Sequence, residues 1–519
     1  MAANAFDAVS LNIHWTQLLS RIDEAAATFR RTSFSTLVRE SNDFAVILTD
    51  RHGRSIGQSS VSIPSFIGTL PGTVKMFIER FGADNLNPGD FLVTNDPWLA
   101  TGHVYDVSGV MPLFHHAEIV GYAAVASHVP DIGGRIWGTS SREIYEEGLQ
   151  IPPLKLLRAG EPDAGVVAMI ERNVRTPELT MGDLWGQAAA CRMLEARLSE
   201  FLDETGVDLD ALGAEVRRRA ERAMRNAIAK VPDGVYRHAV FQDGFDGNLI
   251  EVRCALAVRG RRIDIDFAGT SVQQVRAVNV VPSYAFAYSC YAVKCMLEPD
   301  LPNNEGSFQP IRTKAPLGTV LNPRFPAATG GRAIIGHMVV PAVMGALAKA
   351  VPERSRAEGS YSAILTLNGE NRGRRYHAIS FMCAGQGASR DADGHSTMAF
   401  PTNVGNNPIE VMEQLAPILV HHRRRRRGSG GAGRHRGGEG GSIEFVFRGD
   451  QPGIVSLIVR SRDAVPRGRE GGGAGQSARL LMNGRAIESG VDHVIRAGDR
   501  VRIESAGGGG FGRPAKDAR

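Results

Sequence analysis

The stretch NDPWLATGHVYDVSGVMPLFHHAEIVGYAAVASHVPDIGG, residues 95–134, holds the side chains best suited to chemistry: His103, Asp106 and His128, with Asp96 and Asp131 nearby. A neutral imidazole offers a nitrogen lone pair, and a carboxylate offsets cationic charge. Two imidazoles and a carboxylate therefore suit a borderline divalent cation such as zinc, iron or manganese. Three or four protein ligands leave room for a water whose pKa the cation lowers toward neutrality. Histidine beside Asp and Gly is also common in plain structural loops, and an HxxD spacing carries little by itself, so the residues alone leave both readings open. Asp96 precedes Pro97 and reads equally well as the start of a turn.

Convergence of these side chains requires the chain to fold back on itself. Residues 107–114 and 119–127 read as strands, with a polar turn at 115–118. In an antiparallel pair, positions equidistant from the turn centre face each other. With the centre between residues 116 and 117, His128 falls opposite residue 105, which His103 and Asp106 bracket.

Around this hairpin, Leu11, Trp15, Leu18, Leu19 and Ile22 recur at helical spacing within 11–31. Residues 43–50 read as a strand ending in the turn DRHG, with a second strand after it. Residues 91–94 read as a further short strand. Helices are expected at 73–81, 184–202, 212–230, 283–297 and 338–351, and a short one at 408–420. Residues 235–267 are β-rich with turns at DGFDGN and RGRR, and 361–382 hold two strands around NGENRG. The expected fold is mixed α+β: a large multi-layer subunit with β-rich regions, an N-terminal metal-site hairpin and several packed helices. It divides into an N-terminal metal-binding region (1–232), a central α/β region (233–420), an Arg/Gly-rich loop (421–442) and a β-rich C-terminal region (443–519).

Composition narrows the classes. The chain has 519 residues, 43% hydrophobic and 22% charged, which suits a globular protein of more than one ordinary core. The net charge of +5 is local: arginines 423–427, Arg434 and Arg436 supply it, and the remainder is slightly acidic. A nucleic-acid binder needs a broad basic face, so this class is disfavoured and the arginine run reads as a solvated loop. Five scattered cysteines without a CxxC pair argue against a disulfide framework or a thiolate zinc site, and suit a reducing compartment. The N-terminal residues lack a signal-peptide pattern, and no stretch approaches the roughly 18 apolar residues of a membrane span, so a cytoplasmic location is expected.

The same segments carry a resemblance. LVRESNDFAVILTDRHGRSIGQ (37–58), NDPWLATGHVYD (95–106), SHVPDIGG (127–134) and EIYEEGLQIPPLKL (143–156) resemble, in order, blocks of the hydantoinase B/oxoprolinase family. DFAGTS (266–271), APLGTVLNPRFPAATGGR (315–332), SGGAGRHRGGEG (429–440) and the terminal GGGGFG (507–512) are similar to further blocks. Gly428 and Arg513 depart from the acidic residues frequent at those places. The resemblance implies a divalent metal held by Asp43, His103, Asp106 and His128, with Asn95, Asp96 or Asp131 orienting the ligands. It also implies a hydantoinase A-type partner that binds ATP with magnesium and phosphorylates the substrate, in a hetero-oligomer such as α2β2. The implied activity is hydrolysis of a hydantoin or lactam through the bound metal. A ketone carboxylase subunit and a non-catalytic scaffold are the alternatives. The chain has no GxxxxGK[ST] phosphate loop, which agrees with an ATP site on the partner, and GGGGFG reads as structural.

Overall fold

The computed structural model describes residues 6–245 and 247–514. The first five residues of the N-terminal segment and Asp246 of the DGFDGN turn lie outside the described residues. Four sheets and a set of packed helices form the mixed α and β fold.

The first sheet has the order β2-β1-β5-β4-β3-β6-β7. Its strands are β1 (Phe44–Asp50), β2 (Ser55–Gln58), β3 (Phe91–Thr94), β4 (Asp106–His115), β5 (Glu118–His128), β6 (Leu154–Arg158) and β7 (Glu161–Pro162). Strand β1 is buried along its whole length, which is why its FAVILTD sequence shows no polar alternation. The helix Ala8–Thr32 covers this sheet. Asp7 caps it by accepting from the Val9 and Ser10 amides, and Leu11, Trp15, Leu18, Ile22 and Phe29 form its buried face. The long helix Pro177–Thr205 packs beside it and reaches the sheet through Gln187, whose amide donates to Val107 O at 3.0 Å and Ser127 Oγ at 2.9 Å.

The second sheet is β11-β10-β9-β8, from β8 (Gly234–Asp243), β9 (Leu249–Arg259), β10 (Arg262–Asp266) and β11 (Ile311–Lys314), with β10 and β11 parallel. The third is β13-β12-β16-β19, from β12 (Ala363–Asn371), β13 (Arg374–Met382), β16 (Gly453–Ile458) and β19 (Asp492–Ile495). The fourth is β14-β15-β20-β17-β18, from β14 (Ile418–Arg425), β15 (Gly441–Phe447), β17 (Arg479–Met482), β18 (Arg485–Ala486) and β20 (Arg500–Glu504). One apolar core runs continuously from Phe6 to Ile458, so position 232 marks a change of sheet within one core. A second core fills the C-terminal sheets.

Two expectations are corrected. The helix expected at 73–81 begins at Pro64, which occupies its first turn, and it runs on through Gly68, Pro71 and Gly72, residue types that disfavour a helix interior. Gly68 lets this helix approach Ala287 of the helix Pro282–Leu297 so closely that a Cβ would strike it. The segment 421–442 is not all loop. Its first part is β14, with Arg423 opposite Ile443 and Arg425 opposite Gly441. β14 is an edge strand, where charged side chains are compatible with pairing and discourage further strand addition.

The glycine-rich blocks have a packing role. Segments 385–387, 430–438, 468–475 and 507–510 lie side by side and are joined by backbone hydrogen bonds, among them Gly431 N to Gly508 O, Gly508 N to Gly438 O and Gly510 N to Gly473 O at 2.8–2.9 Å. A Cβ at Gly508 would collide with Gln386 O, and one at Gly437 with Gly508 O. Gly508→Ala should therefore destabilise by about 3 kcal/mol or more, because only backbone movement relieves the clash. Gly373→Ala, at φ +73 in open space, should cost about 1–2 kcal/mol. Melting temperatures and folded yields of the two variants measure this difference. Equal losses would show that close backbone packing is not what the bundle requires.

Candidate metal centre

Strand register positions the site. A two-residue turn at His116 and Ala117, both at positive φ, joins β4 to β5, and His115 opposes Glu118 as counting anticipates. The register then shifts between Leu113 and Phe114, so that Leu113 opposes Gly121. This irregularity puts His128 directly opposite Asp106 instead of residue 105. Directly opposed residues share a face, whereas a one-residue slip would turn Asp106 away from His128. On the other side of β5, Phe44 opposes Ser127, and His128 N donates to Asp43 O at 3.3 Å. Asp43, His128 and Asp106 thus stand side by side across three neighbouring strands.

Metal-ligating atoms of His103, Asp106 and His128 lie within 4.8 Å of one another, and all three residues are buried. Asp43 lines the same cavity but stands outside that trio. The two oxygens of Asp106 are used differently. Oδ2 accepts from Thr101 Oγ1 at 2.8 Å and pairs with the Arg332 guanidinium. Oδ1 lies 2.7 Å from His103 Nε2 and 3.3 Å from His128 Nδ1. His103 Nδ1 lies 2.9 Å from Gly330 O, and a carbonyl only accepts, so the ring proton sits on Nδ1 and Nε2 carries a lone pair. Burial and the Arg332 charge hold the His103 pKa down to about 4, keeping the ring neutral. Burial alone would raise Asp106, but the Arg332 guanidinium paired with it holds it well below the usual carboxylate range.

A lone pair and a carboxylate oxygen therefore face each other at 2.7 Å, and neither atom makes a hydrogen bond among the described residues. His128 Nε2 is likewise enclosed without a partner there. Such a contact is repulsive unless positive charge lies between the atoms. The donor set, two imidazole nitrogens and a carboxylate oxygen with a second carboxylate beside it, fits a borderline divalent cation. Burial pushes Asp43 up to about 6 in the absence of such a charge.

The surroundings hold these rings in place, and sequence reasoning missed most of them. Gly330 O also accepts from Trp137 Nε1 at 2.8 Å, and Trp137 lies against His128 with ring centroids 4.3 Å apart. Tyr105 stacks on His128 at 5.8 Å. Arg332 Nε donates to Thr101 O at 2.7 Å, fastening the loop that carries Thr101 and His103. The residues expected to orient the ligands do other work. Asn95 ties its loop to Val104 O, Leu149 O and Ile151 N. Asp96 accepts from the Trp98 amide in a turn, and Asp131 pairs with Arg175. No spacing in the sequence links Arg332 to Asp106 across 226 positions.

Glu147 backs this shell. It is fully buried, and Oε1 accepts from Gly330 N at 2.6 Å while Oε2 has no partner among the described residues. Burial pushes its pKa up to about 8, from 4.5 for an exposed glutamate. The folded chain thus retains a proton that the unfolded chain has released, and stability falls as pH rises from about 4.5 to about 8. Glu147→Gln, which mimics the protonated form, should lose that part of the decline. Melting temperatures of the two proteins should diverge with rising pH, and parallel curves would exclude a buried neutral Glu147.

The chain's relatives agree with this architecture. The Hydantoinase B/oxoprolinase family model matches residues 7–514. A protein of Pseudomonas sp. (strain NS671) assigned as the B-type component of a D-/L-hydantoinase is 29% identical over 512 residues, covering 93% of this chain and 86% of its own. The crystal structure of the ATP-dependent caprolactamase from Pseudomonas jessenii superposes with a TM-score of 0.89 at 26% identity, over 98% of this chain and 92% of that one. A nucleotide-free acetone carboxylase shares the fold, with a TM-score of 0.86 at 19% identity over 97% of this chain and 75% of that one. With the whole described chain matched from its first helix to its terminal glycines, this protein belongs to the hydantoinase B/oxoprolinase family.

Proposed function

We propose that this chain is the metal-binding subunit of an ATP-dependent cyclic amide hydrolase, which opens a hydantoin or lactam after a partner subunit has phosphorylated it. The observation that carries the reading is the unpartnered convergence of His103, Asp106 and His128 in a buried cavity, in a chain of this family. His103, Asp106 and His128 would hold zinc, iron or manganese, with Asp43 as the fourth ligand. When bound, the cation supplies Lewis acidity and lowers the pKa of a water at this site. Gly330 O fixes the His103 tautomer, and Arg332 and Thr101 hold Asp106 by one oxygen so that the other stays free. Trp137 and Tyr105 wall off His128 and exclude bulk solvent. A ketone carboxylase subunit is the second reading, because an acetone carboxylase has the same fold. Screening hydantoins, oxoproline, lactams, and ketones with bicarbonate for substrate-dependent ADP release in the assembled enzyme distinguishes the two.

The partner belongs to the same reading. Segment 315–332 ends at Arg332 inside the site, while on the surface it exposes Leu317 and Phe325. Phe325 stacks edgewise on Trp98 and Tyr145, at 5.5 and 5.9 Å, and Val272 bridges to Thr319 close by. Exposed large apolar side chains on one segment suit a subunit interface, and the ATP-binding subunit is the proposed occupant. Leu317→Asp and Phe325→Asp should weaken assembly at least about tenfold without changing metal content, as read by co-purification and sedimentation. Unchanged assembly would put the interface elsewhere.

In the assembled enzyme, His103→Ala should lower metal affinity by about tenfold or more while phosphorylation on the partner continues. ADP release then becomes uncoupled from ring opening. Metal analysis, melting temperature and the ratio of ADP to product measure this. A well-folded variant with full metal and coupled turnover would overturn the role given to His103. The chain alone should hydrolyse no ATP at an appreciable rate, and robust partner-free hydrolysis would end the proposed division of labour.

A further inference from the structure

Arg460 lines the same cavity as the proposed ligands, is only 3% exposed, and has no carboxylate partner among the described residues. One guanidinium nitrogen, Nη1, contacts Ala333 O at 3.1 Å, Ile334 O at 3.5 Å and His337 Nδ1 at 3.0 Å. Nε is enclosed without an acceptor, and Nη2 makes no hydrogen bond to the described residues. The guanidinium also lies 5.3 Å from the centre of the Tyr361 ring. Arg332, the other arginine of the cavity, is paired with Asp106. A buried cation without a counter-charge is unfavourable, and such groups are kept where a ligand supplies the missing charge.

The charge balance agrees. The cavity has two carboxylates, Asp43 and Asp106, and two arginines, Arg332 and Arg460. A divalent cation would leave it about two charges positive, which a phosphoryl group of about −1.5 to −2 neutralises. His337 cannot take up that role as a cation. Its Nδ1 accepts from Arg460, and burial with the neighbouring Arg460 and Arg332 charges holds its pKa well below the usual value. It therefore remains neutral and orients the guanidinium.

We infer that Arg460, oriented by His337, is the oxyanion-binding residue of the metal cavity and receives the anionic group of the substrate. This deepens the hydrolase reading and rests on it for the identity of the anion: the phosphoryl group of the activated substrate, or a carboxylate that the substrate itself carries. A planar guanidinium with free donors suits either oxyanion.

The test is calorimetric titration of the purified, metal-loaded full chain with inorganic phosphate and, separately, with acetate. Phosphate should bind the wild type, bind Arg460→Met at least about tenfold more weakly, and bind Arg460→Lys at an intermediate level, with metal content unchanged. The same dependence for acetate in place of phosphate would also support the site and identify the substrate's carboxylate as the anion. If Arg460→Met does not fold, Arg460→Lys carries the test, because it keeps the charge and loses the planar donors. Equal binding by wild type and variant, absence of binding by the wild type, or a lowered melting temperature with unchanged anion binding would overturn the inference and leave Arg460 as a cap on the 333–334 carbonyls. Binding is read here without partner or turnover, so its failure is separate from failure of the hydrolase reading.

Discussion

Asp106 is a buried carboxylate whose two oxygens face different surroundings, and the site depends on that asymmetry. Had both oxygens been saturated by donors, the group would be an ordinary buried ion-pair partner. Had neither been, burial would raise its pKa and neutralise it. Arg332 and Thr101 satisfy Oδ2 and stabilise the ionised form, leaving Oδ1 charged and turned toward His103 and His128. Arg332 stacks over Tyr284 of the helix Pro282–Leu297 at 4.3 Å and also holds the Thr101 carbonyl. The state of Asp106 is therefore set by a segment far along the chain, and the continuous core from Phe6 to Ile458 keeps that segment in position.

The hairpin itself was legible because two opposed apolar runs around a short polar turn encode their own pairing. Counting placed the turn correctly and brought His128 within one position of its partner. The remaining position was not legible. A register irregularity between Leu113 and Phe114 has no composition signal, yet it decides which face Asp106 takes. The residues offered Asp106 as a candidate and the resemblance implied it as a ligand, while the register that sets it opposite His128 came only with the structure.

The rest of the shell escaped for a related reason. Gly330, Arg332, His337 and Arg460 are separated from the hairpin by hundreds of positions, and a single sequence carries no sign of contact at such range. Elsewhere local signals pointed the wrong way. The helix pattern at 73–81 stops short of Gly68, Pro71 and Gly72, which lie inside a helix whose Gly68 serves close packing, and arginines 423–425 read as loop although they lie on an edge strand. The terminal GGGGFG read as structural, but its packing against segments 385–387, 430–438 and 468–475 follows from contacts among distant glycines.

The cavity lies where two sheets meet, and each brings different chemistry. The first sheet and its loops provide Asp43, His103, Asp106 and His128. The third sheet and its flanks provide Phe381, Ser362 and, just beyond β16, Arg460. β16 pairs with β12, and the chain after it continues toward the glycine bundle through Arg467 and Gly468. Arg460 itself is held by the Ala333 and Ile334 carbonyls and by His337 Nδ1, which anchor its positive charge in the cavity. Preorganised charge stabilises an anion without reorganisation when it arrives, which loose side chains on a solvent-exposed loop cannot do. The groups that anchor Arg460 are two backbone carbonyls and a neutral ring, so they hold the guanidinium without cancelling its charge.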